Sequence, residues 1–373
     1  MKFEKTRQRD RTLNHSSFQK RLLAWFDRHR RDLPWRATRD PYAIWVSEVM
    51  LQQTTVAAVI PYFARFLAAF PTVHALAAAD EQQVLKLWEG LGYYRRARHL
   101  HAAARRLVSE HGGTLPDDPT VWADLPGVGR YILGAVLSQA FDRRLPIVEA
   151  NSLRVLTRLF AYRDDPRSGA GQKWAWAAAE SLLPKKRPGD FNQSLMELGA
   201  LVCSPVSPAC ERCPVAKQCR AHRDGLQESI PLRKTPPPVK QVREAAIAVR
   251  RRGQLLLGRR PPDAARWQNL WEVPHGELAA EEMEAQAAKR VAKELTGLEV
   301  KVGKAVAAIR HTVTRHAIAL TCFEASVDAG RLRSSFYSEL RWVSQANWVK
   351  YPMSSPQRKI LAAITDYRRS VMQ

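Results

Sequence analysis

Residues 203–219, CSPVSPACERCPVAKQC, place Cys203, Cys210, Cys213 and Cys219 in the pattern C-x6-C-x2-C-x5-C. Four thiolates drawn from one short segment can enclose a soft metal centre. Zinc sites usually combine two tight pairs across a long span, whereas here one tight pair is flanked by single cysteines at wider reach. The spacing therefore favours an iron–sulfur cluster over zinc. Disulfides fit least, because a fifth cysteine, Cys322, is left over and no secretory context supports oxidation.

The chain of 373 residues is long enough for two ordinary domains, and its 45% hydrophobic content suffices for a buried core. Lys and Arg number 59 against 36 Asp and Glu, leaving a net charge of +23. So one-sided a charge points to a polyanionic partner, nucleic acid, ahead of solubility alone. The most apolar run, Val56 to Phe70, is broken by Arg65, so the sequence offers no membrane span. Its first residues, MKFEKTRQRDRTLNHSS, carry charge without an apolar stretch and read as a flexible basic arm over 1–17. The expected location is a reducing, nucleic-acid-bearing compartment, the bacterial cytoplasm at the nucleoid.

One seam divides the chain. Residues 225–242, with Ile230-Pro231 and Thr235-Pro236-Pro237-Pro238 among basic residues, read as a stiff linker. Upstream, Val56, Val59, Ile60, Phe63, Phe66, Leu67 and Phe70 recur at helical spacing and predict one apolar face. Downstream, Ala245 to Val249 and Leu255 to Leu257, parted by Arg251-Arg252-Gly253, predict a hairpin, and Glu281 to Leu295 predicts a helix packed on a sheet. The expectation is an all-α domain over 18–224 followed by an α+β domain over 243–370.

Asp40-Pro41 reads as an N-cap and first-turn proline of a helix running to about Gln53. Glu48 lies in its middle among Ile44, Trp45, Val46, Val49, Met50 and Leu51. If that face is buried the carboxyl holds its proton more tightly, and otherwise Glu48 is an ordinary solvated side chain. The segment Leu125-Pro126-Gly127-Val128-Gly129-Arg130 precedes a helical run, Tyr131 to Phe141. Two glycines at that spacing allow a tight turn whose N–H groups meet a phosphate without reading sequence, although any inter-helix turn can look alike.

The strings LPWRATRDPYAIWVSEVMLQQTTV, GLGYYRRARHLHAAA, LPGVGRYILGAVLS and FNQSLMELGALVC, with the four cysteines, resemble the A/G-specific adenine DNA glycosylases, the MutY family. The likeness spans roughly residues 18 to 222. It implies a helix-hairpin-helix glycosylase with a [4Fe-4S] cluster on Cys203, Cys210, Cys213 and Cys219, acting as a monomer on double-stranded DNA that carries adenine opposite 8-oxoguanine or guanine. The abasic product would then pass to downstream abasic-site enzymes.

The resemblance also implies roles for single residues. Glu48 matches the general acid that protonates adenine at N7 and engages the attacking water, Tyr131 an active-site tyrosine, and Asn151 a residue that helps hold that water. Gln193 matches a contact to the adenine edge, while Trp35 and Arg36 line the pocket. Gln53 and Tyr93 match residues that wedge the duplex once the base is flipped, and Gly127, Gly129 and Arg130 meet the DNA backbone. Where the related endonuclease III branch carries a lysine that forms a Schiff base, this chain has Tyr131, which implies base removal without strand cleavage.

Two departures stand out. The family pattern reads aspartate-glycine-asparagine where this chain has Glu149-Ala150-Asn151. The charge survives on a side chain longer by one methylene, in a site where about 1 Å of misplacement can cost around a hundredfold. Ala150 is also expected to alter a backbone that glycine would leave free. The second domain resembles a Nudix-like domain, best in WQNLWEVPHG, Trp267 to Gly276. Gly276, Glu282, Arg290, Glu294 and Gly297 keep the frame of the Nudix box, but Val291 and Leu295 replace two of its glutamates, which disfavours nucleotide hydrolysis. In the family this domain contacts 8-oxoguanine through a loop matched here by His311-Thr312-Val313-Thr314-Arg315-His316, where Thr314 keeps a hydroxyl, Arg315 adds a cation and Val313 lacks the aromatic ring, while an ordinary polar turn between strands fits the same residues equally well. The expected function is an adenine DNA glycosylase of base excision repair. The alternatives are a lesion-binding protein whose chemistry Glu149 has weakened, and a thymine-removing glycosylase of the same fold.

Overall fold

The computed structural model describes residues 13–232 and 238–371, with side chains through 367. Most of the basic arm expected over 1–17 and the middle of the proline-rich linker lie outside the described residues, yet the first helix already starts at His15. The chain divides into two compact units, residues 13–53 with 114–232, and residues 54–113 with 238–371.

The first unit is helical. Its elements are α1 (His15–His29) and α2 (Pro41–Leu51); the chain then passes through α3 (Val56–Ala69), α4 (Val73–Ala78), α5 (Glu81–Trp88) and α6 (Arg95–His111) of the other unit. It returns with α7 (Pro119–Asp124), α8 (Arg130–Phe141), α9 (Ala150–Phe160), α10 (Gly169–Leu182), α11 (Pro188–Leu201) and the short α12 (Arg220–Arg223). Helix α2 forms as its caps dictate, with the Asp40 carboxylate accepting from the N–H groups of Tyr42 and Ala43 and Pro41 in the first turn. Every residue from Tyr42 to Met50 is buried, the polar Ser47 and Glu48 included, so this helix is enclosed by its neighbours on all sides. One core gathers Phe18, Leu22 and Phe26 of α1, Leu156 of α9 and Phe191, Leu195 and Leu198 of α11. Cys203 and Cys213 pack against it, which ties the cysteine loop to the centre of the unit.

In the second unit, β1 (Lys240–Arg251) and β2 (Gln254–Arg259) form the expected hairpin. Arg252 and Gly253 both take positive φ at its turn, as a two-residue connection between twisted strands demands. Strands β3 (Trp271–Glu272), β4 (His275–Glu277), β5 (Leu298–Val313), β6 (His316–Gly330) and β7 (Glu339–Val343) complete a mixed sheet in which β1 and β6 run parallel. Its backbone order is β3-β2-β1-β6-β5. Alternate β1 residues serve opposite faces: Ala246 and Ala248 join the core with Ile360 and Ile364 of α14 (Ser355–Val371). Ala245, Ile247 and Val249 join Ala287, Ala288 and Val291 of α13 (Glu284–Thr296). A strand covered on both faces reads as an unbroken apolar run, which Ala245 to Val249 is.

Several expectations shift. Helix α13 begins at Glu284 rather than Glu281, which instead adopts φ +61° in the preceding turn. Strand β1 begins at Lys240, inside the stretch expected to be linker. Helices α3 to α6 form one compact unit with the sheet. The Tyr94 hydroxyl donates to the Met353 carbonyl at 2.9 Å and Trp271 Nε1 to Gln82 Oε1 at 2.9 Å, while Arg358 pairs with Glu89. In α3 the buried face is narrower than its periodicity suggested: Val59, Phe63 and Phe66 are buried, whereas Ile60 is exposed.

Candidate active site

Glu48 is 3% exposed in the middle of α2, which rules out the solvated reading. Its Oε2 accepts from the Tyr131 hydroxyl at 2.6 Å and its Oε1 from Gln139 Nε2 at 2.8 Å, both donors standing on α8. Burial pushes the carboxyl up from its ordinary value, the hydrogen bonds from Tyr131 and Gln139 oppose that rise, Glu149 adds to it, and Arg36 opposes it. Burial and the adjacent Glu48 hold the Tyr131 hydroxyl well above its usual range, so it stays protonated and donates.

Glu149 occupies the N-cap of α9. Its Oε2 accepts from the Asn151 N–H at 2.8 Å and its Oε1 from the Ser152 N–H at 2.6 Å, and Asn151 Nδ2 lies 3.2 Å from Oε2. The Ser152 hydroxyl closes a capping box onto the Glu149 N–H at 2.9 Å. Asn151 is fixed from its other side by Arg154, whose Nη2 donates to Oδ1 at 2.8 Å. Ala150 is the first residue of α9 and none of its neighbourhood takes positive φ, so the backbone change expected there does not occur.

Trp35, Arg36 and Gln193, expected on the base side, line a cavity of about 160 Å³ together with Ile44, Gln139 and Gly189, among others. Arg36 Nε donates to Gln193 Oε1 at 3.0 Å, and its two terminal nitrogens bond Glu197 at 3.0 and 2.9 Å. Arg31 adds its own N–H and guanidinium at 2.7 to 2.9 Å, so five hydrogen bonds meet on a carboxylate that is 1% exposed. Desolvation opposes them, but the arginines prevail and hold Glu197 down at about 2. Sequence reasoning missed Gln139, Arg154, Arg31 and Glu197. The signal for Glu197 was present, a lone carboxylate inside the apolar run from Leu195 to Leu201.

The four cysteines line one cavity with Arg158, Val202, Pro208, Ala216 and His222. Burial pushes the Cys213 thiol up to about 12 and the Cys219 thiol up to about 11, against backbone N–H groups of Val215, and of His222 and Ala221, that favour the thiolates. Arg158 Nη1 lies 3.3 Å from Cys203 Sγ. Four converging soft donors, served by N–H groups but too buried to ionise unaided, suit a cationic centre that takes thiolates. The chemistry of the donor set suits an iron–sulfur cofactor, while no group of three or more His, Cys, Asp or Glu among the described residues stands in metal-holding geometry.

Residues 46–178 match the HhH-GPD superfamily base excision DNA repair protein family, and residues 245–363 match the NUDIX domain family. An adenine DNA glycosylase of Rattus norvegicus is 48% identical over 56% of this chain and 42% of its own length. An adenine DNA glycosylase of Buchnera aphidicola subsp. Schizaphis graminum is 32% identical over 69% of this chain and 74% of its own length. The chain belongs to the adenine DNA glycosylase family. It spans about two fifths of the length of the rat and human relatives it matches. The solved structure of a thermostable thymine-DNA glycosylase, 32% identical, superposes with a TM-score of 0.52 over 56% of this chain and 97% of that one. The fold is a helical glycosylase domain followed by a Nudix-like domain, as the sequence suggested.

The remaining residues fall at distinct places in this adenine DNA glycosylase family member. In the α7–α8 turn Gly127 takes φ +76°, but Gly129, at φ −91°, does not need glycine's freedom, and a Cβ there would meet nothing. Helix α8 has no side-chain cap, so its first N–H groups stay open to an anion approaching over Gly129. The Arg130 guanidinium stands 4.0 Å over the Trp176 ring. Gln53 in the first unit and Tyr93 in the second are both exposed and left-handed, at φ +57° and +48°. Such backbones cost about 1–3 kcal/mol and concentrate at functional sites. Thr314, at φ +52° on the β5–β6 hairpin tip, donates its hydroxyl to the Val313 carbonyl at 2.7 Å. In the Nudix-like unit Arg290 pairs with Glu282 and Glu294 at 2.8 and 3.0 Å, while Val291 is buried in the core.

Proposed function

We propose that this chain is a monofunctional glycosylase of base excision repair that flips adenine out of double-stranded DNA where it lies opposite 8-oxoguanine or guanine, and hydrolyses its N-glycosidic bond. The observation that carries the reading is Glu48, a buried carboxyl with raised proton affinity beside a second carboxylate at a helix N-terminus. The Glu48 proton passes to N7 of adenine. The C1′–N9 bond then breaks with its electron pair going to the base, and Glu149 faces the positive charge developing on the sugar. Water held by Asn151 adds to C1′ and gives its proton to Glu48, leaving adenine and an abasic site. Tyr131 offers a hydroxyl where a Schiff base would need an amine, so the strand stays intact.

Trp35, Arg36 and Gln193 bind the base, Gln53 and Tyr93 fill the gap, and Gly127, Gly129 and Arg130 hold the backbone. Cys203, Cys210, Cys213 and Cys219 would hold a [4Fe-4S] cluster, whose role would be structural, and Arg212, Lys217 and Arg220 on the same loop would offer cations to phosphates. The Nudix-like unit contacts the opposite base through Thr314. A thymine-removing activity draws support from the likeness to the thymine-DNA glycosylase. Single-turnover assays on duplexes with A opposite 8-oxoguanine, A opposite G and T opposite G, each with and without alkali, separate the readings. Adenine-specific abasic sites, cleaved only after alkali, are expected. Tight binding without base release would instead support the lesion-binding alternative.

A further inference from the structure

The Glu48 carboxyl has two oxygens, and each meets a different kind of partner. Tyr131 Oη, 2.6 Å from Oε2, is a hydroxyl that can donate or accept, so that contact survives whichever oxygen holds the proton. Gln139 Nε2, 2.8 Å from Oε1, can only donate. Gln139 also lines the cavity that holds Trp35, Arg36 and Gln193, and so touches both the acid and the space beside it. We propose that Gln139 is a positioning residue for Glu48, keeping Oε1 an acceptor so that the transferable proton resides on Oε2. This inference rests on the glycosylase reading for its consequence, though not for its geometry.

The arrangement answers a conflict in the acid's requirements. A carboxyl buried this deeply grips its proton, and a general acid that grips too hard transfers it slowly. Relief has to come from groups that stabilise the carboxylate left behind. The groups facing Glu48 are Tyr131 and Gln139 from α8, Glu149 at the start of α9, and Arg36 from the turn over Pro34–Arg36. Glu149 works in the wrong direction, and Arg36 is engaged by Glu197 and Gln193. Direct hydrogen bonds therefore fall to Tyr131 and Gln139. Both stand on one helix, two turns apart, so a single rigid element sets the position of both carboxyl oxygens.

The test uses the full chain with its cofactor and the variants Gln139→Leu and Gln139→Glu, the second close to glutamine in shape in case the first folds poorly. Glu48 is titrated by carbon-13 carboxyl resonance, assigned by its loss in Glu48→Gln, and single-turnover adenine release is followed against pH. In Gln139→Leu the Glu48 titration and the alkaline limb of the rate should both move up by about one pH unit, the effect of losing one hydrogen bond to a charged group. The plateau rate should fall about tenfold while duplex binding stays within about twofold. Gln139→Glu should move the titration further in the same direction, since two carboxyls would then share one proton. An unmoved Glu48 titration in folded variants overturns the proposal, as does a slower plateau with an unmoved alkaline limb. If the wild type releases no adenine, the glycosylase reading fails, and the carboxyl titration still decides the role of Gln139.

Discussion

Replacing Glu197 by glutamine keeps the side-chain shape and removes the charge on which Arg31 and Arg36 converge. The carboxyl is 1% exposed and is held from its ordinary 4.5 down to about 2, a shift worth about 3 kcal/mol. Breaking a buried pair from one side costs a similar 3–5 kcal/mol, because the partner cation is left uncompensated. An amide offers one acceptor oxygen to five donor contacts and turns its own N–H groups toward the guanidiniums. For a unit of this size each kcal/mol lowers the melting temperature by about 2–4 °C, so Glu197→Gln should melt about 6–12 °C below wild type at pH 7. The difference also has a pH signature. A depressed carboxyl contributes stability above its unfolded value, and that contribution is lost as pH falls from about 4.5 toward 2. Melting followed by circular dichroism from pH 7 down to 4 should show the wild-type advantage shrinking at the acid end. Adenine release should fall too, since Arg36 carries Gln193. A melting point within 2 °C of wild type at pH 7 would refute the argument that this pair fixes the base-side wall.

Three further outcomes are expected, two at the Glu48 site and one at the cysteine loop. Glu149→Gln should slow adenine release by about two to three orders of magnitude, as removal of a preorganised electrostatic group does. Because Glu149 raises Glu48, the alkaline limb of the residual activity should move down, opposite in sign to Gln139→Leu; a limb that stays in place would separate the two carboxyls. In the wild type, release should decline as pH rises through the elevated Glu48 value, the acid being active only while protonated, and a rate that climbs instead would mean that Glu48 acts solely as a base. Cys213→Ser should abolish iron–sulfur absorbance in the visible and lower the melting temperature, because Cys213 packs against the core around Phe191 and Leu195. Retention of full absorbance would exclude it as a ligand.

Much of this is legible in the sequence, and the boundary between what is legible and what is not is physical. Asp40-Pro41 announces α2 because capping is decided within four residues, and the Arg252-Gly253 turn announces its hairpin for the same reason. The apolar neighbours of Glu48 suggested burial, but only α8 could supply it, and Tyr131 and Gln139 lie 83 and 91 residues away in the chain. Gln139 sits in the run from Leu133 to Phe141 with nothing local to distinguish it from an exposed polar residue. The grouping of residues 54–113 with the sheet was likewise hidden. It depends on pairs such as Tyr94 with Met353, whose separation of 259 residues no periodicity reports.

Glu149 shows how a departure that looks disruptive in sequence is absorbed in three dimensions. An aspartate at an N-cap reaches the first N–H groups of its helix directly, and the extra methylene of glutamate would overshoot if the side chain ran straight into the site. Instead the carboxylate turns back over α9, with Oε1 on the Ser152 N–H and Oε2 on the Asn151 N–H. The Ser152 hydroxyl returns a bond to the Glu149 N–H, and Ala150 enters the helix without strain. The added length is thus taken up in the cap, where the helix N-terminus favours a negative charge. Arg154 then holds Asn151 from behind, so carboxylate and amide are fixed as a pair. A side chain anchored at both oxygens and still close enough to raise the proton affinity of Glu48 would meet both demands of the proposed chemistry, a charge for the sugar and an acid that holds its proton more tightly.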